Sequence, residues 1–239
     1  RVEVVPNDRE RSGAPLRSPE KVMVVEAGSE LVDELVNLLE DEGYLTLTYR
    51  STDEALRDLD LTRLDLIVID NALSDMNSLE LCERMRARTE VPIVIVGGSA
   101  SSKQRVRALE LGAEDYISGP ISQEELMARI NVIFNRPHLA NRTREPLDLG
   151  DLRIDFARRE VHVHNQLVEL TRIEYDLLYT LVSNMNQVLT HSQLLEKVWG
   201  PEHRSETQYL WVHVSRIRKK LEPTTYIKNQ QGIGYTFQV

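Results

Sequence analysis

The sequence predicts two domains of different class, an α/β domain with a doubly wound parallel sheet and then a smaller α+β domain. Between residues 21 and 135, five short apolar runs alternate with five stretches of helical periodicity, as in a parallel sheet covered by helices. Residues 147–170 change to short alternating segments separated by turn residues, which are typical of an antiparallel sheet. Three predicted helices and a hairpin complete the chain.

The predicted strands of the first domain are short and rich in β-branched residues, as strands buried on both faces are. They cover residues 21–25, 44–49, 64–70, 91–96 and 114–118. The predicted helices cover residues 29–42, a stretch that opens at a Ser51/Glu54 capping pattern, and residues 77–88, 101–111 and 122–134. A doubly wound sheet of this length commonly has the flavodoxin-like strand order 2-1-3-4-5.

The second domain, residues 147–239, has the element order of a winged helix-turn-helix. A capping box at Thr171 and Glu174 opens its first helix, and further helices are predicted at 191–199 and 205–221. A hairpin follows at 226–237, with its turn at Gly232-Ile233-Gly234. Residues 1–20 are predicted to be an extension without a core, and the polar residues 136–146 to be a linker.

The charge of the chain is divided unequally between the two halves. The net charge is −9, but residues 1–140 carry 16 basic and 26 acidic residues, whereas residues 141–239 carry 13 and 12. Four cations, Arg216, Arg218, Lys219 and Lys220, lie within five positions of the last predicted helix. Because local clustering creates a phosphate-binding surface, the acidic total does not exclude a DNA-binding second domain.

Several classes of protein are disfavoured by what the sequence lacks. No apolar stretch approaches the ~20 residues that cross a bilayer, and residues 1–20 lack the apolar segment of a signal peptide. The one cysteine, Cys82, lies in an apolar-periodic stretch and is predicted to be a buried hydrophobe. No base–nucleophile pair or nucleotide loop is visible. We therefore expect a cytoplasmic protein that is not an enzyme.

Two acidic residues follow predicted strands of the first domain, Glu26 after the first and Asp70 at the end of the third. Ligands of doubly wound sheets bind at the carboxyl ends of strands, where paired carboxylates suit Mg²⁺. Asp70 is also a candidate nucleophile toward a phosphodonor. The residues alone leave open whether both side chains merely cap loops.

Residues 21–135 resemble the receiver domain of two-component response regulators. The resemblance rests on KVMVVEAGSE, LIVIDNALSDMNSLELCERMR and ALELGAEDYISGPISQEELMARI, and it implies that Asp70 occupies the phospho-acceptor position. Three positions depart from the family pattern: Ala27 replaces the second acid, Gly97 a Thr or Ser, and Gly119 a Lys. Because each missing charged contact is worth about 1.5–3 kcal/mol, we expect a pseudo-receiver independent of phosphorylation, with at most a weak Mg²⁺ site at Glu26 and Asp70.

Residues 147–239 resemble the winged-helix domain of the OmpR/PhoB family. The matching stretches are LTRIEYDLLYTLVSN, LLEKVWG, VHVSRIRKKLEP and GIGYTF, and GPEHRSETQYLWVHVSRIRKKLEP is similar to the potassium-responsive branch. The resemblance implies binding to double-stranded DNA at direct-repeat or paired half-sites, with Arg216 as the base reader. The remaining expected DNA-binding positions are His213, Ser215, Arg218, Lys219, Lys220, Thr190, His191, Lys228 and Gln231.

The resemblance also implies a symmetric dimer face and a polymerase-contacting loop. Its cross-subunit pairs correspond to Arg105 with Glu125 and Asp115 with Arg129, and Tyr116 matches the switch aromatic. Glu110 matches as well, although Asn131 occupies the position of its usual Lys partner. From their spacing alone, these residues would be interpreted as ordinary solvated charges. The loop expected to contact RNA polymerase contains Glu202, His203, Arg204 and Glu206.

Together these observations predict a sequence-specific DNA-binding transcriptional regulator that acts as a homodimer and has a degenerate receiver. Two alternatives stay open. One is a conventional response regulator that is activated by phosphorylation at Asp70. The other is a polymerase-docking adaptor with weak DNA binding. Whether a sensor kinase is a partner is also left open.

Overall fold

A computed structural model of the chain describes residues 19–135, 145–224 and 226–239. The predicted extension and linker lie largely outside these residues. The first domain is a parallel sheet of order β2-β1-β3-β4-β5, as predicted. Its strands are β1 (Lys21–Val25), β2 (Leu45–Tyr49), β3 (Leu66–Asp70), β4 (Ile93–Gly97) and β5 (Asp115–Ser118). Its helices are α1 (Glu30–Asp41), α2 (Thr52–Asp58), α3 (Ser78–Arg86), α4 (Ser102–Leu111) and α5 (Gln123–Asn135).

Alternate residues of the central strands enter two separate cores, one on each face of the sheet. In β1, Val22 and Val24 pack into the core on one side, whereas Met23 and Val25 pack into the core on the other. All four side chains are fully buried. This two-sided burial explains the continuous apolar runs and brings the carboxyl ends of β1 and β3 together at one edge.

Two predicted strands begin later than the apolar pattern indicates. β3 begins at Leu66 rather than residue 64, and β4 begins at Ile93 rather than residue 91. Leu64 and Val91 nevertheless pack into the same core. The apolar run therefore begins before the first residue that pairs with a neighbouring strand, because side-chain burial does not require a ladder hydrogen bond.

The second domain has the predicted winged helix-turn-helix order, preceded by an antiparallel sheet of order β6-β7-β8-β9. This sheet consists of β6 (Leu147–Asp148), β7 (Leu152–Asp155), β8 (Glu160–Val163) and β9 (Gln166–Val168). The helices are α6 (Arg172–Ser183), α7 (His191–Trp199), a 3₁₀ helix (Pro201–His203) and α8 (Thr207–Lys220). A second sheet, of order β10-β12-β11, contains β10 (Leu189–Thr190), β11 (Ile227–Gln230) and β12 (Gly234–Phe237).

Local sequence signals position these helices. The predicted capping box is present: Glu174 N donates to Thr171 Oγ1, and Thr171 N donates to the Glu174 carboxylate at 2.9 Å. Thr190 and Gln193 form a second box at the start of α7. Cys82 is fully buried, as predicted, and burial raises the pKa of its thiol to about 11. Among the described helices, none is long and apolar enough to cross a membrane.

The two domains share apolar packing. Leu109 of α4 is fully buried and belongs to the core of the second domain, and Val106, one turn earlier, packs against that core. No pattern in the sequence indicates this contact, since Leu109 fits equally well as a residue facing the sheet of its own domain.

We expect Gly234→Ala to destabilise the second domain. A Cβ at residue 234 would lie 1.8 Å from the Leu189 carbonyl oxygen of β10, so the strand pair would have to separate. Overpacking of this kind costs about 1–3 kcal/mol, and thermal unfolding should show a lower Tm. Gly98→Ala is the control, because a Cβ there meets nothing within 4 Å. Equal Tm values for both variants would contradict this account of the strand contact.

Candidate functional site

The carboxylate of Asp70 is buried and already satisfied by backbone amides. Its Oδ2 accepts hydrogen bonds from the N–H groups of Ala27 at 3.1 Å and Ser29 at 3.3 Å, and its Oδ1 accepts one from Ala72 at 2.9 Å. The side chain is 0% exposed. Asp70 therefore holds the loop after β1 and the loop after β3 together.

The second predicted carboxylate, Glu26, is also engaged. Its Oε1 lies 3.1 Å from Nε of Arg50, at the end of the neighbouring strand β2. Among the described residues, no group of three or more His, Cys, Asp or Glu side chains is arranged to hold a metal ion. Asp70 is engaged by three amides and Glu26 by Arg50, and the weak Mg²⁺ site expected at these two residues stays a prediction.

The positions that depart from the receiver pattern differ in the space around them. A Cβ at Gly97 would lie 2.5 Å from Cβ of Asn71, whose Oδ1 accepts a hydrogen bond from Ser78 Oγ at 2.8 Å. The Asn71 side chain therefore fills the space that a Thr or Ser at residue 97 would need. At Gly119 the nearest atom to such a Cβ is a methyl of Leu31 at 3.8 Å, so a β-carbon is sterically tolerated there.

In this conformation Arg216, the expected base reader, is held within the protein. Its Nε lies 3.0 Å from the fully buried carboxylate of Glu174, and its terminal nitrogen donates to the Leu109 carbonyl of α4 at 3.3 Å. Lys220 pairs with the same carboxylate at 2.8 Å. Arg218 donates two hydrogen bonds to the Ile227 carbonyl and so ties α8 to β11.

The remaining predicted DNA-binding residues are mostly accessible. Thr190 caps α7 and is half-buried, and the half-buried ring of His191 lies 5.8 Å from that of Tyr235. The exposed members of the set are Ser215, Lys219, Lys228 and Gln231.

His213 requires a correction. Sequence reasoning placed it off the apolar stripe of α8 as a phosphate contact, but its side chain is 0% exposed and its ring centroid lies 5.2 Å from that of Trp199. A ring buried between α7 and α8 cannot reach a phosphate. Its three-residue spacing before Arg216 was misleading, because the core stripe of α8 is wide enough to include position 213.

A buried polar cluster joins the two domains around Asp115 of β5. The hydroxyl of Tyr209 donates to Asp115 Oδ1 at 2.5 Å, and His203 Nε2 lies 3.0 Å from Oδ2. Arg129 of α5 lies 3.5 Å from the same oxygen. Burial alone would raise the pKa of Asp115, but His203, Arg129 and the Tyr209 hydroxyl together lower it below its usual value. The carboxylate is therefore charged and matched by donors from both domains.

Arg129 is the cationic centre of the same cluster. It pairs with Glu125 of its own helix at 3.1 Å and lies 3.5 Å from Glu206 of the second domain. Burial would lower its pKa, but Asp115 and Glu206 raise it above the usual value. Only 9% of the residue is exposed. The acid–base pair expected at a dimer interface thus lies beneath the second domain in this conformation.

The other predicted interface residues surround this cluster. Arg105 is half-buried, Tyr116 is 2% exposed, and Glu110 pairs with Arg107 at the surface. In the predicted polymerase loop, Arg204 pairs with Glu196, Glu202 is half-buried, and His203 and Glu206 face the first domain. Sequence reasoning missed Tyr209. The sequence signal for Tyr209 is its position on the buried side of α8, because a buried tyrosine hydroxyl needs a hydrogen-bond partner.

We expect Asp70→Asn to lower the free energy of unfolding by about 1–3 kcal/mol, because the carboxamide cannot accept from all three amides. Chemical denaturation measures this. Glu26→Gln is the matched control, since its partner Arg50 is exposed and such pairs contribute ~0–1 kcal/mol. A more stable Asp70→Asn protein would mean that Asp70 sits in a repulsive acidic pocket instead.

We expect Tyr209→Phe to weaken domain docking. It removes only the hydroxyl that donates to buried Asp115, and a hydrogen bond to a charged group contributes about 1.5–3 kcal/mol. Small-angle X-ray scattering should show a larger radius of gyration. Tyr226→Phe is the control, because that hydroxyl donates to Asp151 within the second domain. Equal expansion of both variants would show that Tyr209 has no special role in docking.

Both domains match known families. Residues 22–131 match the response regulator receiver domain, and residues 165–237 match the C-terminal domain of transcriptional regulatory proteins. The sensory transduction protein RegX3 of Mycobacterium tuberculosis is 34% identical over 223 residues, which cover 91% of this chain and 98% of that protein. The DNA-binding response regulator MtrA of the same species is 33% identical over 220 residues, covering 90% and 96%.

Solved structures agree with this relationship. Two mutant forms of RitR superpose with TM-scores of 0.71 and 0.72 at 31% identity, over 92% of this chain and 99% of theirs. The finer assignment to the potassium-responsive branch stays a prediction. The receiver sheet, the winged helix and relatives matched over nearly their whole length show that this chain belongs to the OmpR/PhoB family of response regulators and is a DNA-binding transcriptional regulator, not an enzyme.

Proposed function

We propose that this regulator acts on its DNA as a homodimer and that its receiver works without phosphorylation of Asp70. The observation that carries the proposal is the state of the Asp70 carboxylate, which is fully buried and accepts three backbone hydrogen bonds. Attack on a phosphodonor would turn one charged carboxylate oxygen into an ester oxygen, a poorer acceptor, and so weaken the hydrogen bonds from the amides that join its two loops.

The surroundings of Asp70 offer little to a phosphoryl dianion. Gly119 provides no cation, Gly97 provides no hydroxyl, and the remaining acid Glu26 is paired with Arg50. Charge-assisted contacts of these kinds are the usual source of stabilisation for a bound phosphate. Without them, phosphorylation would place two negative charges in a buried site where neither residue 97 nor residue 119 supplies a compensating group.

One observation favours the conventional alternative. Ser29 Oγ is buried beside Asp70 and has no hydrogen-bond partner among the described residues. A hydroxyl in that position is free to donate to a phosphoryl oxygen. Phosphorylation at Asp70 is therefore kept as the second candidate.

The docked arrangement supports control through domain separation. Asp115 and Arg129, the expected dimer-face residues, are buried against the second domain, and Arg216 is held by Glu174 and α4. Separation of the domains would expose the dimer face and the side of α8 that carries Arg216 together. It would also expose the expected polymerase loop, since His203 and Glu206 face the first domain. A symmetric dimer then presents two α8 helices to paired half-sites.

We expect operator binding to be insensitive to phosphodonors. Fluorescence anisotropy with a selected operator should give superimposable curves for wild type and Asp70→Asn, each with and without acetyl phosphate and Mg²⁺, because the Asp70 carboxylate takes no part in chemistry. Tighter binding confined to phosphodonor-treated wild type would establish the conventional switch.

Arg216→Ala separates a DNA reader from a polymerase-docking adaptor in the same assay. A base-reading arginine contributes about 1–3 kcal/mol, so the variant should lose about ten- to a hundredfold in specific affinity. Arg153→Ala is the matched control, because Arg153 is exposed on β7. An adaptor would bind the operator weakly as wild type and would not respond to either change.

A further inference from the structure

We propose that Trp211 of α8 is a specificity-determining residue that contacts thymine methyl groups in the major groove. Its side chain is 61% exposed, whereas Trp199, the other tryptophan, is 1% exposed. Single exposed apolar residues are common and identify nothing by themselves. The position of Trp211 on α8 and the residues beside it are what distinguish it from such residues.

Trp211 begins the outward stripe of α8. The core residues Leu210, Val214 and Ile217 form the neighbouring stripe and are at most 1% exposed, so Trp211 lies at the border between the core and the solvent-facing side of the helix. At 3.6 residues per turn, the positions four and seven after Trp211 share its face, and these are Ser215 and Arg218. This stripe differs from the side of Arg216, which turns toward Glu174 and the first domain.

The chemistry along this stripe is that of a DNA-reading surface. A surface concavity of about 410 Å³ between α8 and β12 is lined by Trp211, Val214, Ser215, Arg218, Lys219, Glu222 and Tyr235. Lys219 is exposed and lies two turns beyond Trp211, near the carboxyl end of the helix. Recognition helices place their N-terminal residues at base edges, so Trp211, the fifth residue of α8, belongs to the base-reading part and Lys219 to the phosphate-contacting part.

An indole in the major groove has one apolar partner available. Of the four bases, only thymine presents an apolar group there, its C5 methyl, and apolar side chains recognise it by contact. Ser215 is too small to fill the same space, and Arg218 is tied to the Ile227 carbonyl. The structure thus assigns to Trp211 a preference for thymine at the base steps beneath the start of α8. This assignment rests on DNA binding by α8, and it is independent of the state of Asp70.

The test removes single methyl groups from the DNA. An operator is first selected from random duplexes with wild-type protein, and each thymine is then replaced in turn by deoxyuracil. We expect one or two replacements to weaken wild-type binding by about fourfold, the effect of one buried methyl, and to leave Trp211→Ala binding unchanged. The Trp211→Ala variant itself should bind the original operator about tenfold more weakly, with an unaltered salt dependence because no phosphate contact is lost.

Leu167→Ala is the matched control, since Leu167 is a 59% exposed apolar residue on β9, away from α8. It should behave as wild type on every duplex. The proposal is overturned if deoxyuracil weakens Trp211→Ala as much as wild type, or if Trp211→Ala keeps full operator affinity, in which case the indole serves a protein partner. If the wild-type protein selects no operator, α8 does not read DNA sequence and the proposal for Trp211 fails with it. If selection succeeds only with a phosphodonor, the result contradicts the pseudo-receiver proposal and leaves the proposal for Trp211 intact.

Discussion

The arrangement of this molecule depends on the buried carboxylate of Asp115. A charge at 3% exposure is tolerable only with polar partners around it, and these come from both sides of the interface: Arg129 from the receiver, and Tyr209 and the His203 ring from the winged helix. Nε2 of His203 lies 3.0 Å from Asp115 and 2.8 Å from Nη1 of Arg129, so its tautomer decides whether it donates to the first or accepts from the second. Removing one partner from such a buried group costs about 3–5 kcal/mol. Neither domain alone can satisfy Asp115, so docking and the burial of this charge are one event, and the position of Arg216 follows from it.

Two of the buried carboxylates of the receiver, Asp70 and Asp115, differ in what they depend on. Asp70 is satisfied by amides of its own loops, and its environment is therefore the same whether the domains are docked or apart. Asp115 takes donors from the other domain and is sensitive to separation. A change that acts on domain docking would therefore affect Asp115 at the β5 edge most directly, whereas the hydrogen bonds of Asp70 would stay as they are.

Periodicity and capping patterns predicted both domain folds and most element bounds, because those signals are local, whereas the strand order was expected only as a common form of doubly wound sheets. The short strand β10 was missed, since two residues carry no period. The site was harder to predict. Asp115 and Arg129 were selected as interface residues, but which surface covers them depends on the packing of two domains. His213 was assigned to the wrong face, because the buried stripe of α8 is wider than the apolar spacing of its sequence indicates.

The contact between Asn71 and Gly97 constrains which side chains residue 97 can carry. The amide side chain lies where a β-carbon at residue 97 would need to be and also accepts a hydrogen bond from Ser78. A hydroxyl residue at 97 would first require a smaller or repositioned neighbour at 71, whereas a β-carbon at 119 meets no such obstacle. The two positions therefore differ in what a substitution demands of the surrounding side chains, since one depends on a neighbour that is itself hydrogen-bonded and the other does not.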